Sequence, residues 1–134
     1  TNKIGYINTS NAYQISDEYV QKFGVKVSSL TDKISQLSGG NQQKVLLARG
    51  ISIHASILIL DEPTKGVDAG GKVEIYRIIE DLAKSGVAII VISSELPEVA
   101  AICTRIIVMN NGRITGEIPR EQADPETIMR YATS

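Results

Sequence analysis

The apolar run Ile57-Leu58-Ile59-Leu60 leads straight into Asp61-Glu62. A continuous stretch of β-branched and leucine residues reads as a parallel strand buried on both faces. The carboxyl end of such a strand is where open α/β sheets bind ligands. An apolar strand offers no structural reason for two adjacent acids at its tip. In a phosphoryl-transfer site the pair has a use: the first acid holds Mg2+, directly or through water, and the second polarises the attacking water. The bland alternative is a strand that ends in a solvated, acidic turn.

Upstream lies Leu37-Ser38-Gly39-Gly40-Asn41-Gln42-Gln43-Lys44. Two glycines at a helix start leave backbone N–H groups bare and let an anion approach, where the helix dipole favours negative charge. Ser38 adds a hydroxyl donor. Alone, Ser-Gly-Gly also reads as a flexible start to a helix. A third stretch, Gly66-Val67-Asp68-Ala69-Gly70-Gly71-Lys72-Val73, fits the G-x-x-x-x-G-K-[ST] phosphate loop up to its last position. That position needs a hydroxyl as Mg2+ ligand, and Val73 has none. The stretch also follows Pro63-Thr64 and not directly a strand, so it reads as a loop plus the start of a helix.

The elements that must position these residues follow from periodicity. Ser16 could cap a short helix through Phe23, with Gly24 as its stop, and Val25–Ser28 could be extended. Ser38 is an N-cap candidate for a helix ending near Gly50–His54, with Val45, Leu46 and Ala48 as its apolar face. After the Ile57–Leu60 strand, Pro63 and Gly66 mark a break. A helix from about Lys72 to Lys84 follows, with Val73, Tyr76, Ile79 and Leu82/Ala83 at helical spacing and Gly86 as its stop. Val87–Ile92 is a second apolar strand. Ser93 or Ser94 opens a short helix with Pro97 in its first turn. Arg105–Met109 and Ile114–Ile118 flank Asn110-Asn111-Gly112, a hairpin turn, and Pro125 begins a last helix to about Tyr131. Strand–helix–strand–helix order implies a parallel α/β sheet with right-handed crossovers, finished by an antiparallel hairpin.

Bulk properties set few further limits. A chain of 134 residues, 43% apolar and 22% charged, is ordinary for a globular domain and argues against disorder. A net charge of −1 gives no electrostatic reason to expect nucleic acid or an anionic membrane. The apolar runs fall far short of the ~20 residues that span a bilayer, no signal sequence is visible, and a cytosolic protein is expected. Cys103 is the single cysteine, which excludes an internal disulfide. The single histidine, His54, reads as a surface or helix-end residue; Lys44 and Arg49 read as solvated or salt-bridged, and Arg113 and Arg120 as surface charge. Tyr6, Tyr13, Tyr19, Tyr76 and Tyr131 are too scattered for a base-stacking platform.

Taken together, the Leu37–Lys44 run, Asp61-Glu62-Pro63-Thr64 and Gly66-Val67-Asp68 resemble, in order and spacing, the signature, Walker B and interface-loop motifs of ABC ATPases. The Asn-Gln-Gln-Lys ending is similar to the sugar-importer branch, and the resemblance covers about residues 30–132. It implies that Ser38, Gly39, Gly40, Asn41 and Gln42 bind, in trans, the ATP held by an opposite ATPase domain. It assigns Asp61 to Mg2+, Glu62 to the catalytic base, and Gly66, Val67 and Asp68 to the loop crossing the dimer interface. Ser94 stands where the family usually carries a switch histidine. Serine carries no positive charge and would contact a γ-phosphate only weakly, so the resemblance leaves open whether this site hydrolyses ATP despite Glu62; the pattern resembles the second domain of fused two-domain sugar-importer ATPases.

A complete ABC domain begins with a phosphate-binding loop, an adenine-stacking aromatic and a glutamine-bearing loop, and only 36 residues precede Leu37. The expected fold is therefore a partial P-loop NTPase with its N-terminal half missing: residues 1–50 a partial helical subdomain with the signature, residues 51–134 the second half of the catalytic core. The fragment alone is expected to be inactive and to hold no ligand. The resemblance further implies, for the parent, ATP and Mg2+ as cofactors and a second ATPase domain in the same polypeptide. A membrane permease, and indirectly a periplasmic sugar-binding protein, would be further partners, and no nucleic acid is expected. Such a protein is cytoplasmic and peripheral on the inner face of the membrane. Self-association, with residues 1–30 rearranged or swapped, is expected to cover a sheet deprived of neighbours. Two other readings are a stand-alone, non-hydrolysing regulatory module and a soluble ABC ATPase outside transport.

Overall fold

A computed structural model of the chain describes residues 8–133; Tyr6 and the rest of residues 1–7, part of the segment expected to rearrange, lie outside the described residues. Two compact units emerge. Among the described residues, one comprises residues 8–58 together with Thr64–Ala88, the other Ile59–Pro63 together with residues 89–133.

In the first unit, α1 spans Thr9–Lys22, α2 Gly39–Ser52 and α3 Ala69–Lys84. Helix α1 begins earlier than its periodicity suggests, because the Asn8 side chain accepts from the Asn11 N–H at 3.1 Å and serves as the cap; Ser16 is interior. It stops where expected. Gly24 adopts φ +58°, its N–H donates to the Gln21 carbonyl and the Val25 N–H to that of Val20, which satisfies the last carbonyls of the helix. Val25–Ser28 then joins no strand ladder among the described residues. Gly86, at φ +97°, closes α3 in the same way. The buried stripe of α3 is Ile75, Ile79 and Leu82, at helical spacing; Val73 is exposed. On α2, Leu47 and Ala48 are buried and Leu46 points out, so the apolar face is rotated by one residue from the sequence reading.

Strands β1 (Ile57–Asp61) and β2 (Ala88–Ile92) form one two-stranded sheet. The Ala88 N–H donates to the Ser56 carbonyl near the start of both strands, and the Glu62 N–H to the Ile92 carbonyl near their ends, so the pair is parallel. Burial alternates along each strand, and Ile57, Ile59, Ile90 and Ile92 remain 51–62% exposed. The expectation of strands buried on both faces is thus corrected: the sequence carries apolar side chains for two faces, and one of them is bare.

In the second unit, α4 (Leu96–Ile102), the hairpin β3 (Arg105–Asn110) and β4 (Arg113–Pro119), and α5 (Pro125–Ala132) enclose a core of Val99, Ile106, Val108, Ile118 and Ile128. The Asn111-Gly112 turn has φ +48° and +73°, the left-handed pair that a tight hairpin demands. Asp124 caps α5 through the Thr127 N–H at 2.9 Å. Glu95, and not Ser93 or Ser94, takes the N-cap position of α4; the Ser93 hydroxyl instead accepts from the Glu95 N–H at 3.0 Å. No helix among the described residues is long and apolar enough to cross a membrane.

Candidate functional site

Two clusters of the residues singled out by their chemistry form, one in each unit.

The first joins the start of α2 to the loop before α3. Ser38 is the N-cap of α2 by position, and its carbonyl accepts from the Gln42 N–H at 2.9 Å, but its side chain makes no cap bond. Gly39 and Gly40 fill the first turn, where backbone N–H groups have no intrahelical partner. The glycines let the loop come close: a Cβ on Gly39 would lie 3.1 Å from the Gly66 carbonyl oxygen and press it back, whereas one on Gly40 would make an ordinary 3.5 Å contact with Val67 Cγ1. On the other side, a Cβ on Gly71 would come within 2.6 Å of Val67 Cγ1. Gly66 turns the loop at φ +74°, the buried Val67 plugs it into the glycines, and Asp68 caps α3 by accepting from the Gly71 N–H at 2.8 Å. The structure therefore brings Ser38, Gly39 and Gly40 together with Gly66 and Val67. Within residues 66–73 the N-cap of α3 is held by a carboxylate that accepts the Gly71 N–H, which suits the reading of this stretch as a loop plus the start of a helix.

Asn41 and Gln42 turn their amides inward. Asn41 Oδ1 accepts from the Lys26 N–H at 2.9 Å while its Nδ2 donates to Ser38 Oγ at 2.9 Å; Gln42 Nε2 donates to the Leu37 carbonyl at 2.8 Å. Ser38, Asn41, Lys26, Ser28, Asp32 and Gln36 border an open hollow of about 510 Å³.

Lys44 read as solvated or salt-bridged, and the structure buries and pairs it. It is 5% exposed, and its ammonium donates to the Gly24 carbonyl at 2.9 Å and pairs with Glu74 at 2.6 Å. Hydrogen bonding to Lys44, followed by its charge, holds the Glu74 carboxyl below the ordinary carboxylate range. One side chain thus ties the end of α1 and the body of α3 to the helix that carries Ser38. Sequence reasoning missed Glu74; the available signal was that Lys44 shares a face with Leu47 and Ala48, three and four residues on, where a solvated lysine does not belong. His54 is exposed beyond the end of α2 at φ +55°, and Arg49 is exposed, as read.

The second cluster lies at the end of β1. Asp61 is the last strand residue and is exposed. Glu62 adopts φ +47°, a left-handed conformation uncommon for a non-glycine residue. Its Oε1 accepts the Ser94 N–H at 3.0 Å, and its own N–H donates to the Ile92 carbonyl. Both acids stand at the carboxyl edge of a parallel strand, with one carboxylate oriented by the backbone of Ser94. Among the described residues no three His, Cys, Asp or Glu side chains gather into a cation cage. Two carboxylates suit a hard cation that takes its remaining oxygens from phosphate and water, which is how Mg2+ is commonly held.

Residues 6–65 match the family described as ABC transporter. A ribose import ATP-binding protein of Caldanaerobacter subterraneus subsp. tengcongensis is 53% identical over 129 residues, 96% of this chain and 26% of the relative. A xylose import ATP-binding protein of Geobacillus kaustophilus is 53% identical over 118 residues, covering 88% of this chain and 23% of the relative. The chain thus spans about a quarter of the length of these curated relatives. Among solved structures, a dimeric bacterial ABC transporter cassette superposes with a TM-score of 0.74 at 24% identity, over 87% of this chain and 50% of that one; at that identity the likeness shows the fold. A Clostridium perfringens protein that is part of an ABC transporter complex gives 0.72 at 26% identity, over 93% and 50%. On these likenesses this chain belongs to the ABC transporter ATPases, with sugar-import ATP-binding proteins among its homologues.

Proposed function

We propose that this chain supplies the signature half of one ATP site and the carboxylate half of another in an ABC importer for a simple sugar. An ABC ATPase fold implies ATP as its ligand, with Mg2+ as the usual companion. The observation that carries the reading is the seating of Gly39 and Gly40 on the Gly66-Val67 loop, which presents the Ser38 hydroxyl and the bare N–H groups of α2 as one anion-binding end. Those donors would clamp a γ-phosphate held by a second ATPase domain, with Gly66, Val67 and Asp68 at the interface and Asn41 and Gln42 in support. Asp61 would hold Mg2+, and Glu62, aimed by the Ser94 N–H, would accept the proton of an attacking water. In the intact protein, closure of two such domains would drive a membrane permease fed by a sugar-binding protein, with the ATPase peripheral on the inner face of the membrane.

One observation favours a second reading for the carboxylate site. Ser94 reaches Glu62 through its backbone, and its side chain cannot place positive charge beside a γ-phosphate. This site would then bind ATP and close without efficient hydrolysis.

The test is ATP-dependent association of this chain with a complete, hydrolysis-blocked ABC ATPase domain, followed by light scattering. Association that needs ATP and is lost in Gly39→Asp supports the reading. Association indifferent to ATP opposes it, as would tight Mg-ATP binding to this chain alone that disappears in Lys72→Ala, because residues 66–73 would then be a phosphate loop after all.

A further inference from the structure

Every heteroatom around Ser38 has its polarity forced by its neighbour. The Lys26 backbone N–H is a donor only, so the atom of Asn41 that faces it at 2.9 Å must be Oδ1. The other end of the planar amide is then Nδ2, and it lies 2.9 Å from Ser38 Oγ. An amide NH2 has no acceptor capacity, so it donates and Ser38 Oγ accepts. The hydroxyl hydrogen of Ser38 therefore points away from Asn41. Among the described residues Ser38 Oγ bonds Asn41 Nδ2 and makes no cap bond, so no acceptor there takes up its hydrogen.

We infer that Asn41 is a positioning residue that presets the Ser38 hydroxyl as a hydrogen-bond donor toward an incoming phosphate, through a relay that begins at the Lys26 backbone. The inference rests on the reading of Ser38, Gly39 and Gly40 as a phosphate clamp. It differs from that reading in giving Asn41 a role toward Ser38 and not toward the nucleotide, since its Oδ1 and one of its N–H groups already serve Lys26 and Ser38. A hydroxyl left to itself samples three staggered orientations and would have to be ordered on binding; one already committed as an acceptor to Asn41 arrives with its hydrogen outward. The relay also explains why the turn around Lys26, distant in sequence, matters to the clamp: it alone decides which way round the Asn41 amide lies.

A double-mutant cycle in the full-length protein that carries this chain tests the inference, with the ATP concentration for half-maximal domain closure as the readout. Ser38→Ala is expected to raise that concentration roughly 10- to 100-fold, the loss of one hydrogen bond to a charged group. Asn41→Ala is expected to raise it about three- to ten-fold. The double variant should match Ser38→Ala alone within about twofold, because Asn41 acts only through Ser38. Asn41→Asp keeps the acceptor for Lys26 but forces Ser38 to donate inward, so it should be at least as damaging as Ser38→Ala. Multiplicative effects in the double variant, or an Asn41→Ala protein that closes like the wild type, would overturn the inference while leaving the clamp intact. A Ser38→Ala protein that closes normally would overturn the clamp and the inference with it. A folding defect is kept apart by a second measurement on the chain without nucleotide: the Asn41 side-chain amide resonance should move in Ser38→Ala, and an unmoved signal would remove the hydrogen bond on which the inference stands.

Discussion

The backbone N–H of Ser94 donates to Glu62 Oε1 across 3.0 Å, so Ser94 orients the carboxylate without using its side chain. Ser94→Ala should therefore leave Glu62 aimed as before, and ATP turnover by the full-length protein should stay within about twofold of wild type. Ser94→His adds the missing cationic donor and should raise turnover at this site about ten-fold or more, the scale of a general charge-assisted contact. Single-turnover hydrolysis with the companion site blocked reads both; a Ser94→Ala protein as dead as Glu62→Gln would show that the hydroxyl itself does chemistry.

Glu62 also carries a conformational cost, since a side chain at φ +47° is disfavoured relative to glycine. Glu62→Gly is expected to be more stable than Glu62→Ala by about 1 kcal/mol, with both inactive. Urea denaturation of the two variants gives the comparison, and equal midpoints would mean that the backbone relaxes at no cost.

Lys44 is buried between the Gly24 carbonyl and Glu74. Lys44→Ala should destabilise by about 2 kcal/mol, from the stranded carbonyl and the lost packing of the aliphatic stem. The Glu74 carboxyl is lowered by its hydrogen bond to Lys44 and then by the charge of Lys44. A depressed carboxylate contributes stability that is present above its unfolded pKa and lost as pH falls through its folded value. The wild type should accordingly lose that contribution in the range below ordinary carboxylate titration, and Glu74→Gln should flatten this part of the stability–pH curve. Thermal melts of the pair between neutral and acid pH measure it.

Cys103 is half-buried, and burial, followed by the nearby Glu98 charge, pushes its thiol above the ordinary value. Less thiolate means slower alkylation. Iodoacetamide at neutral pH should modify native Cys103 more slowly than a free thiol in solution, and unfolding in guanidinium should erase the difference. Native labelling at the free-thiol rate would contradict the buried position.

Gly116 faces the ring of Tyr131, and a Cβ there would lie 2.5 Å from Tyr131 Cγ. Gly116→Ala should cost about 1–3 kcal/mol, the usual penalty of overpacking. Adding Tyr131→Ala should recover part of that loss, so the two substitutions are expected to be less than additive. Additive losses in denaturant titrations would place the clash elsewhere.

What the sequence determined by itself was the set of local features. The apolar runs, the glycine stops at Gly24 and Gly86, the Asn111-Gly112 turn and the proline-started α5 were legible because each depends on a few adjacent residues and their φ preferences. So were the chemical candidates, because adjacent acids at a strand tip and a Ser-Gly-Gly helix start have few structural excuses. The tertiary structure decided what depends on partners distant in the chain. It turned Leu46 out and Leu47 in, left Ile57, Ile59, Ile90 and Ile92 bare, and buried Lys44 because a carbonyl from residue 24 and a carboxylate from residue 74 meet its charge. Burial and hydrogen-bond polarity are properties of a neighbourhood. A lysine reads as solvated until its counter-charge is found, and the Ser38 hydroxyl has no direction until the Lys26 N–H fixes Asn41.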